Sequence, residues 1–570
     1  MMTPARPLSL MCLIAVMLFT PVHAFSQVRL TGNEFSMRAP VYARNGMVAT
    51  SHPLASQIGL EVLKDGGNAI DAAIAANAAL GLMEPTGCGI GGDLFALVWV
   101  AREGKLYGLN ASGRAPQSVD RAKLVQEGLE EIPMTGALSV TVPGAVDGWF
   151  MLLDRFGSKP IAELLGPTIE YAREGFPLTP EIGMLMNRSL QYYAGAGLPH
   201  IEKTYQVNGN WPDAGEVYKN PMLAKVYRLL AERGRDAFYA GRVAEAIVEV
   251  VQSNGGYLTE ADLANHKGNW VEPVSTDYRG YELWEIPPNG QGIAALQILN
   301  ILETFDFSDV RFGSKTHIHR FAEAKKLAYE DRAKYYADPD FENVPIARLI
   351  SKAYARERAK LIDPQRARMY EAGEMPDQGD TIYLTTADRA GNMVSLIQSN
   401  YGGMGSGMVP KGMGFMLQNR GAAFSLDADH KNRLEPGKRP FHTIIPAFVT
   451  RKGQPFLSFG VMGGSMQPQG HAQIMMNIVD FGMDPQEAGD APRIRHEDSS
   501  TPEGKPAKGT GTLGLEDGFD PVVKRDLYFM RHKISYELFY GGYQGIMWNE
   551  EGGYYIGATE SRFDGQAVGY

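Results

Sequence analysis

The chain changes character at Thr381. Residues 364–380 open with Pro364, Gln365, Arg366, Ala367 and Arg368 and continue as a mixture of Glu, Gly, Pro and Asp with few large apolar side chains, the composition of a loop or linker. Residues 381–386 then read Thr-Ile-Tyr-Leu-Thr-Thr, rich in the β-branched and aromatic side chains that suit a strand. Residues 394–399 pair with them across the turn formers at 388–392. Upstream, 160–365 is mostly helical in pattern. In 317–336, for example, Ile318, Phe321, Ala324 and Ala328 fall on one side with charges opposite, which predicts a helix facing the core. Any fold must therefore accommodate a linker between a helix-rich block and a strand-rich block.

The earlier elements can be placed in the same way. Residues 55–64 form a helix that stops at Gly66 and Gly67. Asn68 caps an alanine-rich helix through Met83, whose small side chains suit close packing. A glycine loop over 87–92 leads into a strand at 94–100, and 105–110 is its hairpin partner. Residues 141–144 end another strand and lead into a helix at 147–156. After Thr381, further strands are predicted at 443–450 and 456–459, with a helix over 471–481.

Forty-four percent apolar residues support a large core. Glycine, at 65 of 570 residues, exceeds the roughly 7% norm and implies many tight turns. A net charge of −10 and a pI near 5.7 give no basic surface for nucleic acid or anionic membrane. Arg6, the apolar stretch over 8–21 and the small residues near Ala24 read as a secretory leader over 1–24. The mature chain is then expected outside the cytoplasm, secreted or periplasmic and without a membrane anchor. Of the two cysteines, Cys12 leaves with the leader. Cys88 remains alone, so the core must hold the fold together without a disulfide.

Several motifs carry chemistry in other contexts. Gly87, Gly89 and Gly92 fit G-x-G-x-x-G, but a helix precedes and a strand follows, the reverse of the dinucleotide-binding order. His317 and His319 lack further ligands at zinc spacing and read as two polar residues at a helix start. No P-loop and no G-x-S-x-G elbow is present. The run 460–465, Gly-Val-Met-Gly-Gly-Ser, lies between a strand and a helix, where successive N–H groups can converge on an anion. Taken alone it reads more readily as a tight strand-to-helix turn, since glycine turns far outnumber anion sites. Arg114 follows a strand among turn formers and could grip a carboxylate in bidentate fashion.

Thr381 gains significance if the chain is cut before it. It would then carry a nucleophilic oxygen and a free α-amine titrating near ~7.7–8.0, against ~10.4 for lysine. Such an amine can act as a general base near neutral pH.

Taken together, these residues resemble the γ-glutamyltransferase family over nearly the whole mature chain and in the same order. The likeness is carried by the 68–73 segment, the 87–92 loop, Arg114, residues 142–144, Gly463 and Gly464. Around Thr381 it is carried by Thr385, Gly391, Asn392, Val394 and Ser395. Residues 438–440 and 491–493 add to it. The resemblance implies an α+β fold, a four-layer αββα sandwich of the N-terminal-nucleophile hydrolase type with extra helices. It implies self-cleavage between Asp380 and Thr381 into a large piece, 25–380, and a small piece, 381–570, that stay together as one core. It also implies amide cleavage by Thr381 through an acyl-threonine ester, with the Gly463 and Gly464 N–H groups on the oxyanion and transfer to water or an acceptor amine. Ser399 stands where the family has a threonine hydroxyl near the nucleophile's amine. No metal or organic cofactor is implied.

The departures concern the substrate. The family commonly has Asn at Tyr401, Gln or Glu at Arg420, an acid at Ala423 and paired serines at His442 and Thr443. That acid normally holds the α-ammonium of a γ-glutamyl group, and Ala423 cannot. Three readings follow. The first is cleavage of γ-glutamyl amides such as glutathione, with Asp427 or Asp429 replacing the missing acid. The second is the same chemistry on dicarboxylic monoamides without an α-amine, glutaryl- or oxamate-like. The third, of another class, is an uncleaved, non-catalytic secreted binding protein.

Overall fold

The computed structural model describes residues 35–371, 380–535 and 539–570, with the main chain alone at Asp380 and Thr381. The leader expected over 1–24 and residues 372–379 of the expected linker lie outside the described residues.

Two seven-stranded sheets form the centre. In the first, the order is Gln566–Gly569, Met47–Thr50, Asp380–Ala387, Met393–Tyr401, Asp93–Val100, Lys105–Ala111 and Asn269–Val271. In the second it is Val41–Ala43, Tyr554–Thr559, Tyr543–Asn549, Gln454–Val461, Ala447–Arg451, Tyr281–Glu285 and Val274–Tyr278. Every pairing within the two sheets is antiparallel. The hairpin read from the sequence is at the middle of the first sheet, with Ile382 opposite Gln398 and Thr386 opposite Val394. Both sheets mix strands from either side of position 380.

The sheets pack face to face. Trp99 of the first stacks on Phe448 of the second, with ring centroids 5.9 Å apart. Gly460 brings the second sheet's backbone onto the Tyr383 ring, where a Cβ would lie 2.5 Å away. Helices Pro53–Lys64 and Ala69–Met83 cover the outer face of the first sheet, and Gly292–Leu302 and Met466–Val479 that of the second. Ala69–Met83 is buried along its whole length. Its alanines let it lie close to its neighbours, and Asn68 closes its N-terminus with a capping box on Asp71. The four-layer αββα sandwich expected from the family resemblance is present. No helix among the described residues is long and apolar enough to cross a membrane.

Four local expectations are corrected. Residues 141–144 form no strand. They are a loop pressed against Gly113, where a Cβ would fall 1.6 Å from the Val142 carbonyl oxygen. The strand expected from 443 starts at Ala447, because the main chain before it bonds elsewhere: the Thr443 carbonyl accepts from Gln291 and the Ile445 N–H donates to Gln467. The helix expected from 471 starts at Met466, straight after the glycine turn, with Pro468 tolerated in its first turn. Finally, helix Lys315–Tyr335 is buried on nearly every side. Its charged face is covered as well, by residues 368–370 and by the strand Ile494–Glu497 and the segment after it.

Candidate active site

The main chain at Asp380 and Thr381 opens the third strand of the first sheet, and Asp380 lies opposite Tyr401 of the central strand beside it. Two residues back on that neighbour, Ser399 is fully buried, and its Oγ accepts the Tyr401 N–H at 2.8 Å. Ser399 is in turn paired with Asp93, the first residue of the next strand. Gly92 permits this approach, since a Cβ there would lie 2.5 Å from the Ser399 carbonyl oxygen. A similar constraint holds at Gly91, whose Cβ would meet the Met416 carbonyl at 2.1 Å. The 87–92 loop follows a helix and precedes a strand as expected, and its glycines serve close packing of main chain on main chain.

Tyr401 sits at φ 82, a left-handed conformation uncommon outside glycine. The Arg420 guanidinium lies 4.2 Å from its ring centre, a cation–π contact between two buried side chains. Arg420 is 0% exposed and donates through Nη1 to Thr443 Oγ1 at 2.8 Å. Beside Thr443, His442 Nε2 donates to Asp93 Oδ2 at 3.0 Å, and its Nδ1 accepts the Ile444 N–H. Asp93 Oδ1 accepts from the Gly113 N–H, the Gly144 N–H and Gln418 Nε2. Burial pushes the Asp93 carboxyl up to about 7, against the opposing pull of the Arg420 charge and these donors. Burial, then the charges of Arg420 and Arg439, hold His442 well below the usual histidine range. His442 is therefore neutral between the arginine and the acid.

Tyr401, Arg420, His442 and Thr443 thus belong to one cluster. Ala423 lies in the short helical turn that carries Arg420. Asp427 and Asp429 do not replace the missing acid. Both are exposed, and Asp427 accepts the Asp429 N–H within its own turn. Arg114 is differently placed. It donates to the Gly437 carbonyl and to Asp340 at 3.1 Å and lies 3.6 Å from Asp338. It pairs with the protein's own acids and shares no hydrogen bond with Arg420, His442 or Thr443, while the N–H of its neighbour Gly113 donates to Asp93.

Gly463 and Gly464 have φ values of 110 and 55, open to glycine and strained for other residues. The turn's carbonyls are all tied. Gly463 accepts from the Met466 N–H, Gly464 from Gln291 Nε2 and the Gln467 N–H, and Ser465 from the Tyr329 hydroxyl and Gln469 Nε2. Among the described residues nothing accepts from the Gly463 or Gly464 N–H. Two adjacent donors on a turn with its carbonyls fixed are suited to stabilising an oxyanion.

His317 and His319 lie at the start of helix Lys315–Tyr335 as expected, and both are buried. His317 packs on Phe312 and Phe481. His319, Glu323 and His532 form a group of ligating type, but its atoms already have partners. His319 Nδ1 and His532 Nε2 are hydrogen-bonded at 2.8 Å, and Glu323 pairs with Lys326 and accepts from Tyr370 and the Arg368 N–H.

The sequence reading missed Asp93, Gln418 and Gln291. Asp93 had a signal: an acid opening an otherwise apolar strand straight after a glycine loop. Gln291 had none, because its partners lie 152 and 173 residues away.

Residues 55–570 match the family model described as Gamma-glutamyltranspeptidase. The chain is 38% identical to the Glutathione hydrolase-like YwrD proenzyme of Bacillus subtilis (strain 168), over 94% of this chain and 100% of that protein. It is 32% identical to the Glutathione hydrolase proenzyme of Escherichia coli (strain K12), over 95% of this chain and 94% of the relative. Among solved structures, the cephalosporin acylase from Bacillus halodurans superposes with a TM-score of 0.87 at 45% identity, covering 94% of this chain and 97% of that one.

Proposed function

The chain belongs to the gamma-glutamyltranspeptidase family and is an amide hydrolase and acyltransferase, and on that premise we propose that it is cut between Asp380 and Thr381 and that the freed Thr381 is its nucleophile. The names of both relatives as proenzymes support a cleaved precursor. Thr381 Oγ attacks the amide carbonyl while the α-amine takes its proton. The tetrahedral oxyanion lies on the Gly463 and Gly464 N–H groups. The substrate amine leaves with a proton, and an acyl-threonine ester remains for water or an acceptor amine to resolve. Residues 25–380 and 381–570 stay together because both central sheets draw strands from each piece. Residues 1–24 direct the chain out of the cytoplasm.

The preferred acyl group carries a carboxylate and no α-ammonium, as in a glutaryl monoamide. The observation behind this is the buried Arg420, with Ala423 at the usual position of the acid and Asp427 and Asp429 turned outward. A buried cation attracts a carboxylate and repels an ammonium. The name of the solved neighbour, a cephalosporin acylase and not a glutathione hydrolase, favours an acyl group other than γ-glutamyl. Cleavage of γ-glutamyl amides such as glutathione is the second reading, favoured by the names of the two relatives.

A denaturing gel tests the cleavage. The wild type should give two pieces, the smaller beginning at Thr381, and Thr381→Ala should stay whole. A wild type that stays intact overturns the nucleophile. Hydrolysis of glutaryl and γ-glutamyl anilides tests the acyl group, and a strong preference for the γ-glutamyl compound overturns the assignment to dicarboxylic monoamides.

A further inference from the structure

Gln291 lies in the loop between strand Tyr281–Glu285 and helix Gly292–Leu302, at the helix N-cap, yet its side chain makes no capping bond. It is 0% exposed and reaches three groups. Nε2 donates to the Thr443 carbonyl at 2.6 Å and to the Gly464 carbonyl at 2.8 Å, and Oε1 accepts from Arg332 Nη1 at 2.5 Å. These partners fix the orientation of the amide. The guanidinium can only donate and the two carbonyls can only accept, so a flipped amide would lose all three bonds.

We propose that Gln291 is a positioning residue that locks the Gly463–Gly464 turn to the acyl pocket. This rests on the reading of that turn as the oxyanion site. On one side Gln291 holds the Gly464 carbonyl, which sets the plane of the peptide that follows and limits rotation about Gly464. Glycine has no Cβ to impose that restriction itself. On the other side Gln291 holds Thr443, whose hydroxyl accepts from Arg420. One amide thus spans the atoms assigned to the oxyanion and those assigned to the acyl carboxylate.

The lock is anchored from one helix. Tyr329 and Arg332 are three residues apart on Lys315–Tyr335 and so lie on the same face. The Tyr329 hydroxyl donates to the Ser465 carbonyl, and Arg332 donates to Gln291 while stacking 3.9 Å from the Tyr329 ring centre. Gln291, Tyr329 and Arg332 precede position 380, whereas Thr443, Gly464 and Ser465 follow it. The large piece therefore positions the oxyanion turn of the small piece.

The test uses the cleaved wild type beside Gln291→Leu and Gln291→Glu, assayed on glutaryl and butyryl anilides with melting temperature as the control for folding. Gln291→Leu should lower kcat about 10–100-fold, the scale of a misplacement of roughly 1 Å. It should also reduce the preference for glutaryl over butyryl, because both ends of the lock are released. Gln291→Glu should recover activity relative to wild type as pH falls, since only the protonated acid can donate to a carbonyl. A purely structural role predicts neither the joint loss nor the recovery. If Gln291→Leu does not fold, the pH response of Gln291→Glu decides. Folded variants with kcat and acyl preference within twofold of wild type overturn the proposal. A wild type inactive on both anilides overturns the underlying reading and the lock with it, whereas an active wild type with silent variants overturns the lock alone.

Discussion

His442 donates its Nε2–H to Asp93 at 3.0 Å, and neither side chain reaches solvent. In the proposed reading the pair controls the charge of the acyl pocket. Asp93 offsets Arg420 only when ionised, and burial delays its ionisation to about pH 7.

The first prediction concerns binding and pH. Below pH 7 Asp93 is protonated and the Arg420 charge acts in full on a substrate carboxylate. Above pH 7 the Asp93 charge competes, so KM for a glutaryl anilide should rise several-fold between about pH 6 and 8. Asp93→Asn should flatten that rise. The sign for stability is set by the same shift. A carboxyl whose folded pKa is raised stabilises the fold fully below its unfolded value of ~3.9 and loses that contribution as pH rises through about 7. Wild type should therefore lose stability relative to Asp93→Asn over that window, measured by denaturant titration at each pH.

Arg420→Leu should raise KM for a glutaryl anilide about tenfold or more, the scale of a charge-assisted hydrogen bond. A butyryl anilide, which has no carboxylate, should be little affected. Equal losses on both substrates would assign Arg420 to packing instead of recognition.

Ala423→Asp restores an acid in the short helical turn that carries Arg420. The ratio of γ-glutamyl to glutaryl hydrolysis should rise, because the new charge attracts an ammonium and neutralises Arg420. Steady-state rates on the two anilides measure it.

Gly92 and Gly195 should respond in opposite directions. A Cβ at Gly92 would lie 2.5 Å from the Ser399 carbonyl oxygen, whereas one at Gly195, the exposed last residue of helix Pro180–Gly195, meets nothing within 4 Å. Gly92→Ala should cost about 1–3 kcal/mol and displace Ser399, lowering both Tm and kcat. Gly195→Ala should stabilise by about 0.4–1 kcal/mol and leave kcat unchanged. Thermal melts and initial rates check both.

Local pattern was the most legible part. The hairpin at 380–401 and the Asn68-capped helix depend on side-chain alternation and capping between near neighbours, and both formed where the sequence placed them. Errors fell where distant groups compete for the backbone. Residues 443–446 have strand-like composition, but Gln291 and Gln467 take their carbonyl and N–H groups. The helix Lys315–Tyr335 has an amphipathic pattern, yet its polar face is buried as a network of hydrogen bonds and ion pairs that spacing cannot distinguish from a solvated one. The partners of Arg114, Asp338 and Asp340, likewise come from residues far along the chain that no local pattern indicates.

The sequence by itself determined the family, the αββα fold it implies and the identity of the residues around Thr381, because these are carried by the order of residues along the chain. Only the tertiary structure decided which of those residues act together. Arg420, Thr443, His442 and Asp93 share one buried cluster, and Gln291 joins the cluster to the glycine turn. A buried polar group must find its partners wherever the fold brings donors and acceptors within reach, and across up to 349 residues of separation no local pattern records that choice.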